Sequence, residues 1–260
     1  MSFAFLLLIF AMTSGSLSFG LAIAVLLAVS VTAHELGHAL TAAAFGFRTR
    51  DINLSLLGGC ASLIALPRKA WQEFTVAVAG PAVSILIAAA GAFGISLAAV
   101  QGSFADALGY ILSMALDSFG VDVSLGGMIF FSEEKAALVR TLSTLSIMNM
   151  MLGIFNLLPG FPMDGGRVFR SAMRAFVSRA KATYAAMMVG RCFAVLLGVR
   201  GLLSLFSGGS WGVVSILIAW MIWREGWREY QIALVEERWG GPWRQEDFNA
   251  RVSPPPYGKD

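Results

Sequence analysis

Charged residues and cysteines are scarce in this chain. Only 13% of the 260 residues are charged, against about a quarter in soluble domains, and 57% are hydrophobic. This composition excludes an ordinary soluble domain, and the mean hydropathy of +0.72 indicates a polytopic membrane protein. The two cysteines, Cys60 and Cys192, have no CxxC spacing, so no disulfide framework is expected. The net charge of +3 is explained by basic loops and gives no reason to expect nucleic acid as a partner.

Histidine is equally scarce, and its placement is the most informative feature of the sequence. Both histidines, His34 and His38, lie in one His-Glu-Leu-Gly-His pentapeptide within an apolar stretch. Residues i and i+4 of a helix share a face, so the two imidazoles can hold one zinc ion while Glu35 reaches a metal-bound water as a general base. HExxH also occurs by chance in soluble helices, but an ionisable residue inside a span costs roughly 2.5–3.5 kcal/mol and usually persists for a function. The sequence predicts a metallohydrolase site inside a membrane.

The expected fold is an all-α polytopic membrane protein of about six transmembrane helices. A span needs about 20 apolar residues. The candidates are Phe3–Met12, Leu17–Phe45, Phe74–Val100, Leu142–Leu158, Ala185–Phe206 and Val213–Trp223. The first of these also has the length of a signal-peptide core, but no basic residue precedes it. We expect a membrane core at residues 1–227 and a short tail at residues 228–260.

The distribution of Lys and Arg predicts the orientation. Basic residues follow the second, fourth and sixth predicted spans, whereas the segment Gln101–Val139 is mainly acidic. Short cytoplasmic loops carry the excess of Lys and Arg. Both termini are therefore expected in the cytoplasm. The short chain separately suggests the plasma membrane of a prokaryote.

A catalytic zinc site needs a third protein ligand, and no histidine is left to supply it. The extension HxxGxxH is absent because Thr41 and Ala44 occupy its later positions, so the third ligand must be Asp, Glu or Cys. Asp164 is the candidate, since it follows a segment whose prolines and glycines must break the fourth span near the membrane. The pentapeptide lies roughly 15 Å from the cytoplasmic end of its helix, a depth that the broken end can also reach. A plain interfacial turn around Asp164 is the alternative.

Three elements together resemble the site-2 proteases, which are zinc-dependent intramembrane peptidases. They are the pentapeptide at 34–38, the Gly80-Pro81 element of the third span, and the NxxPxxPxxDGGR segment at 156–167. The resemblance implies one Zn²⁺ per chain held by His34, His38 and Asp164, and Glu35 as the base. It is closest to the six-span branch, without an inserted PDZ domain and without the cytoplasmic CBS pair for which residues 228–260 are too short.

The resemblance also suggests roles for three further residues. It implies that Asn156 hydrogen-bonds the substrate backbone or the developing oxyanion, whereas a helix-capping amide is the plainer interpretation. Ser84 stands where the family often has asparagine and is given no catalytic role; the small residues around it are expected to let helices pack closely. The segment Ile52–Leu66 predicts a short membrane-associated strand or hairpin. The family suggests that its edge, at Gly58 and Gly59, pairs with an unwound substrate; a packed linker is the alternative.

The implied partners are the lipid bilayer and a single-span membrane protein substrate, such as an anti-sigma factor or another membrane-tethered regulator. A transporter or metal-handling channel that uses the His and Asp side chains as an ion path is the main alternative. A membrane zinc peptidase of the type that trims prenylated proteins and an inactive scaffold are weaker alternatives. The DGGR segment argues against the former, and the presence of every residue that the chemistry needs argues against the latter.

Overall fold

The computed structural model describes residues 17–47, 49–55, 58–63, 69–118, 121–207 and 212–239; the predicted span at Phe3–Met12 and the chain after Trp239 lie outside them. The helices are α1 (Leu17–Ala44), α2 (Ala70–Ala98), α3 (Phe104–Ser118), α4 (Ala136–Asn156), α5 (Asp164–Met173), α6 (Arg179–Phe206) and α7 (Gly212–Trp239). A 3-10 turn at Glu133–Lys135 leads into α4. Strands β1 (Thr49–Ser55) and β2 (Gly58–Leu63) form a two-stranded sheet between α1 and α2.

Four helices are long and apolar enough to cross a membrane. They comprise Gly20–Ala44, Ala70–Ala98, Glu133–Asn156 and Arg179–Phe206. The prediction of a helical, multi-pass membrane protein is confirmed, while the number of six spans stays a prediction. Helix α7 contains the predicted last span, but its apolar start is followed directly by Arg224 and Glu225. The expected boundary between residues 227 and 228 falls inside this continuous helix and stays a prediction.

The first of two compact units comprises residues 1–44, 51–62 and 75–158. Its core is built from small side chains of α2 and α3, with Val139 and Met150 from α4. On α3, the residues Ala107, Ile111 and Ala115 are fully buried and recur every four positions, so one face of this amphipathic helix packs into the core. Helix α3 occupies the acidic segment for which the sequence predicted no helix.

The second unit comprises residues 45–50, 63–74 and 159–260. Helices α6 and α7 approach closely at Gly201, where an added Cβ would lie 2.8 Å from the Gly212 carbonyl oxygen. Side chains of α2, α5, α6 and α7 meet in a set of ion pairs that we call the ion-pair network: Glu73, Arg170, Arg174, Arg179, Glu229 and Glu236.

The predicted helix break is present between α4 and α5. Helix α4 ends at Asn156, a series of turns follows, and α5 begins at Asp164. The Phe161–Pro162 peptide bond in these turns is cis. The carboxylate of Asp164 lies in the first turn of α5, where the helix dipole stabilises negative charge.

Candidate metal centre

The two histidines converge on one point inside the first unit. They lie one turn apart on α1, and His34 Nε2 is 3.2 Å from His38 Nε2. Both side chains are buried, with 3% and 8% exposure. Two nitrogen lone pairs that face each other at this distance repel unless a proton or a metal cation lies between them. The arrangement therefore attracts a cation.

The other ring nitrogen of each histidine has a hydrogen-bond partner on α2. His38 Nδ1 lies 2.7 Å from the Val76 carbonyl oxygen, and His34 Nδ1 lies 2.9 Å from Ser84 Oγ. A carbonyl oxygen only accepts, so His38 carries its proton on Nδ1 and its Nε2 lone pair is available to a metal. Such partners fix the tautomer and ring orientation of metal-ligating histidines.

Glu35 completes a group of three buried ligating side chains. The ligand atoms of His34, Glu35 and His38 all lie within 4.8 Å of one another, and we call these residues the histidine cluster. Glu35 is also buried, with 7% exposure. A metal ion bound to the histidine nitrogens would hold a water molecule, and a carboxylate at this distance can accept a proton from that water.

Gly80 on α2 leaves the space that the two imidazoles fill. A Cβ built on this residue would overlap His38 Nε2 and lie 2.7 Å from His34 Nε2. One turn away, a Cβ on Gly37 of α1 would lie 2.9 Å from the Ala79 carbonyl oxygen. The expectation that the Gly80-Pro81 element allows close helix packing agrees with these contacts. At Gly80, the small residue also makes room for the site itself.

These residues fit a zinc ion. Tetrahedral coordination with Zn–N distances of about 2.0–2.1 Å separates two ligand nitrogens by about 3.3 Å, and the two Nε2 atoms lie 3.2 Å apart. Neutral imidazole is also a preferred zinc ligand. The histidine cluster is therefore compatible with the predicted Zn²⁺.

A hydrogen bond between α1 and α4 supports the cluster one turn before His34. The Asn149 side-chain amide donates to Ser30 Oγ at 2.8 Å and to the Leu145 carbonyl oxygen at 2.9 Å. Asn149 and Ser30 are almost fully buried. This bond fixes how the metal-binding face of α1 is turned relative to α4.

The remaining predicted site residues lie elsewhere in the fold. Asp164 is at the start of α5 in the second unit, and its role as third ligand stays a prediction. The Asn156 side chain donates to the Leu152 carbonyl oxygen of its own helix at 2.9 Å, so its role toward substrate also stays a prediction. Gly58 and Gly59 lie at the start of β2, and substrate pairing there stays a prediction as well.

Sequence reasoning missed the contribution of Ser84 and of the Val76 carbonyl. A signal was present, because positions 76, 80 and 84 recur every four residues and share one face of α2. On that face, Gly80 leaves room for two imidazoles, and Ser84 offers a hydroxyl partner to one of them. The Val76 contact uses a backbone atom, so no side-chain pattern could reveal it.

Comparison with known proteins gives one family. The family model described as Peptidase family M50 matches residues 22–197. The candidate zinc metalloprotease sll0528 of Synechocystis sp. is 33% identical over 84% of this chain and 49% of its own length. Zinc metalloprotease MJ0392 of Methanocaldococcus jannaschii is 31% identical over 82% of this chain and 50% of its own length. The chain thus spans about half the length of these curated relatives.

A solved structure supports the same assignment. The site-2 protease from Methanocaldococcus jannaschii superposes with a TM-score of 0.56 at 28% identity, covering 88% of this chain and 86% of that one. The resemblance drawn from the three sequence elements is therefore confirmed at the level of fold and family. By the extent of the family match and the identity of its relatives, this chain belongs to peptidase family M50, the family of the site-2 proteases.

Proposed function

We propose that this protein is a zinc-dependent intramembrane endopeptidase that cuts a peptide bond within or near the transmembrane segment of a membrane-anchored substrate. The observation that carries the proposal is the buried histidine cluster on a helix long and apolar enough to span a membrane. Membership of a peptidase family and the zinc metalloprotease name of MJ0392 support the same chemistry.

Each residue of the histidine cluster has a defined task in this reaction. His34 and His38 hold the ion through Nε2, while Ser84 and the Val76 carbonyl keep both rings oriented. When bound, zinc acidifies water and polarises a carbonyl as a Lewis acid. Glu35 accepts the proton of the attacking water and later delivers it to the leaving amine.

Two further roles are proposed on sequence grounds. Asp164 supplies the third ligand, because the chain has no other histidine and the NxxPxxPxxDGGR segment matches the family pattern. Asn156 donates to the oxyanion that forms at the scissile carbonyl, which requires its amide to leave the Leu152 carbonyl oxygen.

The substrate must unwind before it can be cut. The carbonyls of a helix are engaged in i to i−4 hydrogen bonds, so attack requires a segment with weak helix formers. The edge of the β1–β2 sheet, at Gly58 and Gly59, can receive the unwound strand by main-chain hydrogen bonding.

The setting that we propose is a prokaryotic plasma membrane, on the basis of the family and the short chain. Both termini lie in the cytoplasm in this proposal, as the distribution of Lys and Arg indicates. The substrate class that fits is a single-span regulator released by cleavage, of which an anti-sigma factor is one example. The lipid bilayer is the other partner.

The decisive experiment compares cells that carry the wild type with cells that carry Glu35→Gln. Fragments of membrane proteins with new termini inside predicted transmembrane segments should appear only with the wild type. The purified variant should retain one zinc per chain, since glutamine keeps the size of the side chain and the histidines are untouched. Glu237→Gln, a change at an exposed glutamate of α7, is the matched control and should cleave like the wild type.

Undiminished cleavage by Glu35→Gln would sink the proposal. Absence of fragments from both proteins, with zinc retained, would instead indicate the inactive scaffold. The transporter alternative predicts zinc or proton flux in liposomes that Glu35→Gln leaves unchanged. The peptidase family of the chain does not favour that alternative.

The third ligand has its own test. Zinc content measured by elemental analysis should fall well below one ion per chain in Asp164→Ala. Asp117→Ala, which changes an exposed aspartate of α3, should leave it at one. Full zinc affinity in Asp164→Ala would transfer the ligand role to another residue without affecting the role of Glu35.

A further inference from the structure

A cavity lies in the first unit, beside the N-terminal half of α4. It has a volume of about 580 Å³, which is within the range of small-molecule sites, and α3, α4 and the segment 127–131 contribute most of its wall. Its lining is mainly apolar and contains one charged side chain, Arg140. Tyr110, Ser143 and Thr144 also line the cavity and carry hydroxyl groups.

The arginine and two of the three hydroxyl groups of this cavity are not engaged by the described part of the protein, whereas the Thr144 hydroxyl donates to the Arg140 carbonyl oxygen of its own helix at 2.9 Å. Within the part of the chain that the structure describes, the Arg140 guanidinium has no acidic partner, and the hydroxyls of Tyr110 and Ser143 have no hydrogen-bond partner. Guanidinium is a planar fork of donors that matches phosphate oxygens, and it is never deprotonated at neutral pH. One cation and two free hydroxyls above an apolar wall fit an amphiphile with a phosphate head.

The position of Arg140 points to the membrane interface. It lies within the candidate span Glu133–Asn156, seven residues after the charged Glu133, or roughly 10 Å along the helix. The side chain of an arginine at this depth extends toward the headgroups while its stem stays among apolar groups.

The segment that precedes α4 supplies an independent sign of contact with lipid. Its apolar side chains are exposed instead of buried, namely Val121, Val123, Leu125, Met128, Phe130 and Phe131. An exposed apolar segment of this kind lies at a membrane interface, where lipid tails cover it. Phe130 and Phe131 also line the cavity, so the cavity borders this exposed apolar segment.

We propose that the cavity beside Arg140 binds the head and upper chain of an anionic phospholipid. The carboxylate oxygens of the acidic neighbour Asp106 accept hydrogen bonds from Ser103 and from the Gly127 amide, so this side chain is directed at those groups and not at the Arg140 guanidinium. The site is independent of the histidine cluster and of peptide hydrolysis.

Native mass spectrometry of the full-length, delipidated protein tests this site. Dioleoyl phosphatidylglycerol and dioleoyl phosphatidylcholine, which share their chains, are titrated in parallel. The wild type should bind one molecule of the anionic lipid about tenfold more tightly than the zwitterionic one. Arg140→Gln should lose this preference. Ser143→Leu, which fills the cavity, should weaken the binding of both lipids.

Two controls keep the test decisive. Arg228→Gln changes an arginine side chain that is 70% exposed on α7, and this variant should keep the wild-type preference. An excess of inorganic phosphate should not displace the lipid, since phosphate lacks the chains. An equal preference in Arg140→Gln and wild type overturns the proposal, and so does full displacement by phosphate.

Discussion

The histidine cluster and the ion-pair network both place ionisable side chains in the interior of a membrane protein, but they are built in opposite ways. The cluster comes from five consecutive positions of one helix and contains no lysine or arginine. The network combines arginines and glutamates from four helices, with Arg170 only 2% and Glu73 only 5% exposed. A local motif gathers reactive side chains at one point, whereas a distributed set of charges ties helices together.

The difference lies in whether the charges are neutralised within the protein. In the network, Arg170 Nε donates to Glu73 at 2.8 Å, Arg174 donates to the same carboxylate at 3.1 Å, and Arg170 also reaches Glu229 at 3.3 Å. Arg170 additionally lies 4.8 Å above the Phe161 ring. In the cluster, two imidazole nitrogens face each other and can together bind an external cation. We therefore expect substitutions in the network to affect stability and substitutions around the cluster to affect metal binding.

The largest effect is expected from Arg170→Met. This substitution leaves the buried Glu73 carboxylate with only Arg174 as a direct partner, and breaking a buried ion pair from one side costs about 3–5 kcal/mol. Thermal unfolding in detergent should show a lower Tm. Before the transition, the folded variant should still contain one zinc per chain. Adding Glu73→Leu should recover part of the loss, since removing both charges of a buried pair is far less harmful than removing one.

An exposed arginine provides the matched control for this prediction. Arg228, whose side chain is 70% exposed, pairs with Glu225 at 3.4 Å. Surface pairs contribute about 0–1 kcal/mol, so Arg228→Met should change the Tm little. Equal effects of the two substitutions on the Tm would mean that water solvates the network. The network would then not stabilise the fold more than a surface ion pair does.

The second prediction concerns Gly80→Ala, which should weaken zinc binding more than it weakens the fold. The new Cβ lies against the tips of both imidazoles, 2.7 Å from His34 Nε2, and the rings must turn away to relieve the overlap. Disturbing the orientation of metal ligands lowers affinity by about 10- to 100-fold. Competition with a chromophoric zinc chelator measures this loss directly.

Gly198→Ala on α6 is the control for the same change in a helix. A Cβ at this position would meet only Ala219 Cβ, at an ordinary 3.8 Å. Alanine is a better helix former than glycine by up to about 1 kcal/mol, so this variant should be as stable as the wild type or more stable. If Gly80→Ala keeps wild-type zinc affinity, α2 does not limit the space that the two imidazoles fill.

The two regions also differ in how far the sequence could predict them. The pentapeptide was readable because helix geometry alone brings His34 and His38 together. The network was not, because Glu73 and Arg170 are about a hundred positions apart and only tertiary packing joins them. Basic residues after a span indicate a cytoplasmic loop, and this interpretation hid the fact that Arg170 is buried. The amphipathic helix α3 was missed for a different reason, since its 15 residues are too few for a span and its acidic residues, Asp106 and Asp117, lie near its two ends.

A smaller effect is expected at the hydrogen bond between Ser30 and Asn149. Interhelical hydrogen bonds in membranes contribute about 0.6 kcal/mol on average, and Asn149 keeps its bond to the Leu145 carbonyl oxygen when Ser30 is changed. A double-mutant cycle of Ser30→Ala and Asn149→Leu should give a coupling energy of that size. The Asn149 Oδ1 atom has no hydrogen-bond partner within the described structure, so Asn149→Leu removes an unsatisfied buried acceptor.

Ser96→Ala is the control, because the Ser96 hydroxyl donates only to the Phe93 carbonyl oxygen of its own helix at 2.8 Å. It should lie within about 0.5 kcal/mol of the wild type, as surface substitutions usually do. A coupling energy of zero between Ser30 and Asn149 would mean that α1 is held against α4 by packing alone. The orientation of His34 would then depend on Ser84 and not on α4.

The smallest effect is expected from Asp106. Its carboxylate is exposed to solvent, unlike the buried groups of the cluster and the network. Hydrogen bonds from the Ser103 hydroxyl, the Ser103 amide and the Gly127 amide hold the pKa of Asp106 below its ordinary value. Its contribution to stability is thus complete above the ordinary pKa and is lost as pH falls through the lower, folded pKa. In detergent micelles, the Gly127 amide resonance should titrate below about pH 3.9, and Asp106→Asn should abolish this titration. Asp117→Asn, on an exposed side chain of α3, should leave it unchanged. A midpoint at or above the ordinary value would mean that these hydrogen bonds do not hold the segment 121–131 in place.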